Sequence, residues 1–306
     1  MIRLAATLLL AALPAFGAIP GAARTAIDQI TGIKGVYVDS EDVYKISFPR
    51  TDVKVIVDHT PMQTFMGLTS WVAFTTGTLK EAMVMGDLVL FEDEVNPVIS
   101  AALDSGLEVT ALHNHFLFDN PRVMFLHIAG EARAADLARG VRKCLDKIKE
   151  VRTAAPVPAA QFGGAEIPEN SKITAQPIDK ILGVKGQSSN GMYKAVVERH
   201  FKLHGRQVGG QMGATTWAAF AGTDDYALVD GEFAMTTAEL QIVLKTLRSA
   251  GIRIVAIHNH MTHEEPQFVF LHYWGKGSAA KLAKTLRAAM DKQAQGPGTH
   301  IGHQAH

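Results

Sequence analysis

Short segments in which apolar and polar residues alternate predict a protein rich in β-strands. Residues 44–48 and 53–57 alternate in this way, and residues 49–52 between them are typical of a turn. We therefore expect these two segments to pair as neighbouring strands. Residues 71–74 and 82–91 are mainly apolar and predict two further strands. The pattern indicates a sheet in which several strands follow one another along the chain.

Helical spacing follows these strands. Residues 96–105 carry apolar side chains with a helical period, Pro97 suits the first turn of a helix, and Gly106 suits its end. Residues 134–149 form a longer amphipathic segment. The remaining predicted elements are two strands and two more helices, in chain order at residues 109–115, 122–128, 237–250 and 278–291.

Together these elements predict the α+β class. Consecutive strands with a few helices build two-layer units, in which helices cover one face of a mainly antiparallel sheet. A parallel doubly wound sheet fits less well, because it requires regular alternation of strands and helices.

The chain contains the same unit twice. Ala-Leu-His-Asn-His at residues 111–115 and Phe-Leu-His at residues 125–127 return as Ala-Ile-His-Asn-His at residues 256–260 and Phe-Leu-His at residues 270–272. Every position is displaced by 145 residues. We therefore predict two tandem homologous units that pack as a pseudo-symmetric pair.

We place the two units at residues 24–152 and 174–293. Residues 153–173 between them combine Pro, Gly and other small residues without an apolar period, which is typical of a linker. Residues 294–306 are predicted to be a disordered tail. Three histidines of this tail form a loose pattern that could attract metal, although we favour a solvated segment: His300, His303 and His306.

The N-terminus has the pattern of a secretory signal. A positive charge precedes an apolar run over residues 4–13, and small residues follow it. We predict a signal peptide over residues 1–18, cleaved near Gly17 or Ala18, and hence a periplasmic or secreted protein. The run is shorter than the roughly 20 residues of a membrane span, so we expect no stable span in the mature chain; an uncleaved anchor is the alternative.

Composition narrows the class of function. The chain has 306 residues, enough for two domains, and its formal net charge is zero. Because nucleic-acid binders usually carry a basic excess or stripe, we expect no nucleic-acid partner. The single cysteine, Cys144, excludes an internal disulfide and is interpreted as a packed residue.

The repeated histidines indicate a site. Side chains alternate along a strand, so His113 and His115 should point the same way, and the next strand should bring His127 back towards them. His127 then lies opposite Ala111 or opposite His113. Either register gathers three imidazoles, whereas a shift by one residue separates them. The second repeat offers the equivalent set: His258, His260 and His272.

A carboxylate recurs with the histidines, because Asp87 and Glu232 are also 145 residues apart. Three imidazoles and a carboxylate suit a divalent transition metal, with zinc as first choice among Zn²⁺, Fe²⁺, Mn²⁺ and Cu²⁺. The predicted ligands are Asp87, His113, His115 and His127 in the first repeat and Glu232, His258, His260 and His272 in the second.

If only the histidines bind the metal, an open position could activate water. Glu232 or His263 would then handle protons in a metal-dependent hydrolase. His263 occurs only in the second repeat, where the first has Phe118. This asymmetry makes the second copy the candidate for the active one.

Other interpretations stay open. The histidines could be packed at the core or, with Asn114 and Asn259, form a hydrogen-bonded network that holds the two units together. The competing functional class is a non-catalytic module that binds cell-wall glycan (peptidoglycan), a small molecule or the metal itself.

Three motifs occur in both repeats, and together they resemble the LppY/LpqO family of exported bacterial proteins. The motifs are Gly-x-Thr-(Ser or Thr)-Trp from Gly67 and Gly213, Ala-x-His-Asn-His from Ala111 and Ala256, and the closing Phe-Leu-His. The resemblance implies a two-repeat domain of unknown function in an exported protein that is sometimes labelled peptidoglycan-binding. Many members are lipoproteins, but this chain lacks the signal-peptide cysteine of a lipoprotein, which favours an unanchored form.

Overall fold

The structure is a computed structural model that describes residues 19–294. The predicted signal peptide and the three tail histidines lie outside the described residues. The predicted class is confirmed, since two similar halves share a mainly antiparallel sheet. No helix among residues 19–294 combines the length and apolar character that crossing a membrane requires.

The first half begins with a helix, continues through strands on either side of a second helix, and ends in a long third helix. Its elements are α1 (Gly21–Thr31), β1 (Val36–Val38), β2 (Val43–Pro49), β3 (Ile56–Val57), β4 (Thr60–Pro61), a 3₁₀ helix (Thr64–Met66), β5 (Thr69–Thr76), β6 (Ala82–Phe91), α2 (Glu92–Asp104), β7 (Glu108–His113), β8 (Asp119–Asn120), β9 (Val123–Ala132) and α3 (Ala134–Ala154).

The second half repeats this order. Its elements are α4 (Ala175–Leu182), β10 (Gln187–Ser189), β11 (Met192–Glu198), β12 (Phe201–Leu203), β13 (Arg206–Val208), a 3₁₀ helix (Gly210–Met212), β14 (Thr215–Gly222), β15 (Ala227–Thr236), a 3₁₀ helix (Thr237–Glu239), α5 (Leu240–Ser249), β16 (Arg253–His258), β17 (Glu264–Glu265), β18 (Phe268–Gly277) and α6 (Ala279–Ala294).

Both halves contribute to one twelve-stranded sheet. Its order is β1-β2-β5-β6-β9-β7-β16-β18-β15-β14-β11-β10, so the second half mirrors the first. The helices pack on one face, where a single core joins Val98 of α2 and Val243 of α5 to Leu126 of β9 and Leu271 of β18. Burial of these apolar side chains is the main force that holds the helix layer to the sheet.

The opposite face is covered only near some strand ends. Because side chains alternate along a strand, Phe125 and Phe270 face away from the helices that their neighbours in sequence contact. They pack in two small clusters beneath the three-stranded sheets β4-β3-β8 and β13-β12-β17. The rest of this face is where the polar residues of the predicted site lie.

The seam between the halves is formed by β7 and β16. These strands share one bridge pair, Leu112 with Ile257, and each carries a register shift against its other neighbour. Side-chain amides complete the seam: Asn96 of α2 binds both backbone groups of Ile254, and Gln241 of α5 binds both backbone groups of Val109.

The predicted pairing of residues 44–48 with 53–57 is wrong. β2 already lies between β1 and β5, so neither of its edges is free for residues 53–57. Only Ile56 and Val57 of this segment are in a strand, β3, which pairs with β4 and β8 in a separate small sheet.

The start of α2 also differs from the prediction. The helix begins at Glu92, so Pro97 is its sixth residue and lies in the second turn. Glu94 accounts for the earlier start, because its buried carboxylate accepts a hydrogen bond from the Phe91 N–H at 2.9 Å and satisfies a donor at the helix end.

Candidate metal centre

The strand register gathers the predicted histidines on the face opposite the helices. His127 pairs with Ala111 on one side and with Asp87 on the other, and His272 pairs with Ala256 and Glu232 in the same way. Antiparallel partners project to the same face. Of the two registers considered above, the structure therefore has the one in which His127 lies opposite Ala111.

The last histidine of each His-x-His pair lies beyond its strand. β7 ends at His113 and β16 at His258, so strand alternation does not position the residues two places later. In each repeat, a phenylalanine ring positions this histidine instead. The imidazole of His115 stacks on Phe125 with ring centroids 3.3 Å apart, and that of His260 stacks on Phe270 at 3.4 Å.

In the second repeat the donor atoms converge on one carboxylate oxygen. Oε2 of Glu232 lies 3.0 Å from Nε2 of His272 and 3.2 Å from Nε2 of His260. Ligand atoms of Glu232, His258 and His272 all lie within 4.8 Å of one another. Glu232 is 4% exposed, whereas the imidazoles are partly open to solvent. Two imidazole nitrogens thus contact the buried carboxylate directly, and His258 lies close enough to complete a group of three ligand atoms that does not include His260.

The electrostatics of this cluster follow from its packing. Burial, together with His260 and His272, lowers the pKa of His258, which favours the neutral imidazole that binds metals. The hydrogen bond to Glu232 raises the pKa of His272. Burial opposes ionisation of Glu232, but the hydrogen bond from His272 and the charges of the nearby histidines outweigh it and lower its pKa. The carboxylate is therefore ionised at neutral pH.

The first repeat brings the equivalent residues together less closely. Nε2 of His113 lies 3.2 Å from Nε2 of His115, and the His127 ring stacks on that of His113. Oδ2 of Asp87, however, is 3.9 Å from Nε2 of His127. Its other oxygen is buried without a hydrogen-bond partner. Burial lowers the pKa values of His113 and His115, which favours the neutral form of these two imidazoles.

His263, predicted as a proton carrier, lies on a different part of the second half. It precedes β17, has a φ of 71°, and its ring contact is with His204, 5.5 Å away between centroids. Among the described residues, no contact joins it to Glu232 or to the other three histidines. Glu232, by contrast, lies at the centre of the cluster.

Aromatic residues around the clusters were not recognised as part of the site from the sequence. Phe125 and Phe270 support the histidines that lie outside the strands. Trp217 pairs with Glu232 across β14 and β15, and its ring lies edge-on to His272 at 6.4 Å. The repeated Phe-Leu-His and Trp motifs were the available signal, but an apolar residue in a strand usually indicates only a core position.

Cys144 is buried in α3, and burial raises the pKa of its thiol to about 12. Such a thiol is protonated at neutral pH and unreactive, in agreement with a packed residue.

Comparison with solved structures gives weak likenesses. A trimeric bacterial microcompartment shell protein, PduB, is 11% identical over 85% of this chain and 90% of that chain, with a TM-score of 0.19. The ethanolamine utilization protein EutL from Leptotrichia buccalis is 12% identical over 84% and 94%, with a TM-score of 0.18. With TM-scores this low, we infer neither fold nor function from them.

No curated protein matches the chain. A family model does match it twice, over residues 25–147 and 176–292, and this confirms the internal repeat. The family's description does not carry the name LppY/LpqO, so that more specific resemblance stays a prediction. The two matches cover most of the chain, which belongs to the family described as Domain of Unknown Function (DUF1259).

Proposed function

We propose that the protein binds one divalent transition metal in its second repeat, with zinc as first choice. The spacing of the donor atoms carries this proposal. Tetrahedral zinc with bonds of about 2.0–2.1 Å holds neighbouring ligand atoms about 3.3 Å apart. The 3.0 Å and 3.2 Å distances from Glu232 to His272 and His260 are close to that value.

The proposed ligands are Glu232, His258, His260 and His272. Neutral imidazoles and one carboxylate are ligands that zinc accepts, and they leave the bound ion with one net positive charge. Fe²⁺, Mn²⁺ and Cu²⁺ accept the same donor types, so zinc is a choice to be tested against them. His260 is outside the group of ligand atoms that lie within 4.8 Å of one another, so it would have to move towards His258 and His272 to become the fourth ligand. Its stacking on Phe270 already holds the imidazole beside Glu232.

Metal binding without turnover is the function that this geometry supports best. Four protein ligands fill a tetrahedral site, whereas catalytic zinc keeps a position open for water. Glu232 cannot serve as a ligand and as a free general base at once, and His263 contacts another part of the protein. A hydrolase is the second candidate, favoured by the solvent exposure of His260 and His272, and it would require one ligand to leave.

We further propose that the protein acts outside the cytoplasm, on the basis of its N-terminal sequence. Cell-wall glycan is the alternative partner for a non-catalytic module. Trp217, half-buried beside His272, is the observation in its favour, because aromatic rings commonly pack against ligands.

Zinc titration of untagged protein tests the proposal. We expect one equivalent of zinc to bind to the metal-free protein and to raise its melting temperature, since a ligand that binds only the folded state stabilises it. His258→Ala should abolish this stoichiometric binding. His113→Ala, the matched change in the first repeat, should leave it intact.

Elemental analysis and calorimetry are the measurements. Both variants keep the tail histidines, so any binding by the tail is common to all three proteins. Absence of stoichiometric metal in the wild type, or equal binding by His258→Ala, would remove the metal-binding function.

A further inference from the structure

A cavity of about 590 Å³ has none of the histidine-cluster residues in its lining. It is bounded by the start of α2, the end of α5, the start of β16 and the segment 159–163 that follows α3. Its basic side chains are Arg248 and Arg253, and its acidic ones are Glu92 and Asp93. The volume is sufficient for a small organic molecule.

Neither arginine has a carboxylate partner among the described residues. Arg248 donates to Oγ of Ser100 at 3.1 Å and to the carbonyl of Ile252 at 2.7 Å, which leaves Nη2 without an acceptor. The guanidinium carbon of Arg253 lies 4.0 Å from the centre of the Phe162 ring. Burial and the nearby Arg253 lower the pKa of Arg248, as expected where two cations lack a counter-charge.

The acidic side chains of the cavity do not supply that charge. Asp93 binds Arg152 and accepts a hydrogen bond from the Ala159 N–H at 3.0 Å. The hydrogen bond from Ala159 to Asp93 also ties the segment after α3 to α2, and it closes one side of the cavity. Glu92 makes no ion pair within 4 Å among the described residues, and burial raises its pKa.

The repeat does not account for these arginines. The positions 145 residues earlier hold Leu103, which is buried in the core, and Glu108, which is exposed. The segment that closes the cavity occurs once, between the halves. The arrangement therefore occurs on one side of the molecule and is not part of the repeated unit.

We propose that this cavity binds a small organic anion through Arg248 and Arg253. A carboxylate between the two guanidinium groups would accept charge-assisted hydrogen bonds and relieve their repulsion. The Phe162 ring and Pro97 offer apolar surface for the remainder of the ligand. The negative charge of Glu92 disfavours ligands with several negative charges, so a monoanion fits best.

Calorimetric titration with benzoate and with inorganic phosphate tests this site. Benzoate should bind saturably to the wild type and more tightly than phosphate, which carries more charge and no apolar part. Arg253→Gln should weaken benzoate binding at least about tenfold, the usual effect of losing one charged hydrogen bond. Lys245→Gln removes the same charge from an exposed position of α5 outside the cavity and should change nothing.

Thermal melting followed by circular dichroism checks that each variant is folded. Phe162→Ala removes the aromatic ring from the cavity without changing its charge, and it should also weaken benzoate binding. Tighter binding of phosphate would identify an inorganic-anion site and overturn the organic ligand. Absence of saturable binding of both anions, or equal weakening by Lys245→Gln, would overturn the site itself. Zinc binding at the histidine cluster is unaffected by any of these outcomes.

Discussion

One methylene group separates the carboxylates of the two histidine clusters. Asp87 and Glu232 hold equivalent positions opposite His127 and His272. Oδ2 of Asp87 lies 3.9 Å from Nε2 of His127, whereas Oε2 of Glu232 lies 3.0 Å from Nε2 of His272. Because coordination needs every donor at bonding distance from one point, this difference should decide which repeat holds the metal.

Shortening the acidic side chain at position 232 should therefore weaken zinc binding in the second repeat. We expect Glu232→Asp to reduce zinc affinity at least about tenfold, the scale of changes to the surroundings of a metal ligand. Asp87→Glu should give the first repeat a measurable zinc site. Competition with a chromophoric chelator measures both affinities.

Glu232→Gln is the control for charge, since it keeps the length of the side chain and removes its ionised oxygen. It should weaken binding at least as much as Glu232→Asp. Unchanged zinc affinity in Glu232→Asp would show that the carboxylate is not a ligand.

At this scale the sequence identified the histidines and both carboxylates, because their common spacing of 145 residues is visible without a structure. It could not establish that His115 and His260 are held by stacking. That support depends on where each strand ends, and strand alternation alone predicted both imidazoles on the sheet.

Among the secondary-structure elements, α2 and α5 connect the halves by equivalent amide contacts. Asn96 accepts from the Ile254 N–H at 2.7 Å and donates to its carbonyl at 3.1 Å. Gln241 makes the same pair of bonds with Val109. These backbone groups lie beside the register shifts of β16 and β7, where the direct strand pairing is incomplete.

Removing the Asn96 amide should destabilise the protein. Asn96→Leu keeps a similar volume but leaves two buried backbone groups of Ile254 without partners, at a cost of about 1–3 kcal/mol for each. Urea denaturation measures the loss in free energy of unfolding.

Gln241→Leu is the matched change in the second repeat. Gln241 is half-buried whereas Asn96 is buried, so water can replace more of its bonds and the loss should be smaller. Equal stability of Asn96→Leu and wild type would show that the amide bridge does not hold the seam.

Sequence patterns locate the strands but do not identify which strands pair. Alternation located β2, and apolar runs located β5 and β6, but these patterns carried no information about partners. The nearest strand in sequence was therefore chosen for β2, whereas its actual partner β5 lies beyond β3 and β4. Pairing depends on which edges other elements leave free, and that is a property of the assembled sheet.

For the whole molecule, the duplication explains most of the architecture but not all of it. The mirrored strand order and the paired amides follow from packing two copies of one unit against each other. The departures from symmetry are local. They are the longer side chain of Glu232, the two arginines of the cavity, and the segment that closes the cavity. Both functional proposals rest on such departures, since each concerns something that one half has and the other lacks.

The continuous sheet leads to a prediction about the separated halves. In a fragment of residues 19–154, β7 becomes an edge strand, and the buried surface that α2 shares with α5 is exposed. Unpaired edges and uncovered apolar surface favour association. A second copy of the fragment can cover both the edge of β7 and the exposed surface of α2, because the two halves are related by approximate symmetry. We therefore expect the fragment to form a dimer or larger species rather than a stable monomer.

Sedimentation velocity over a range of concentrations measures this association. In a dimer that imitates the full chain, Asn96 of each copy would bind Val109 of the other, in the manner of Gln241. Asn96→Leu in the fragment should therefore shift the equilibrium towards monomer, whereas Lys143→Gln at an exposed position of α3 should not. A fragment that stays monomeric and folded at all concentrations would show that the first half does not require the seam in order to fold.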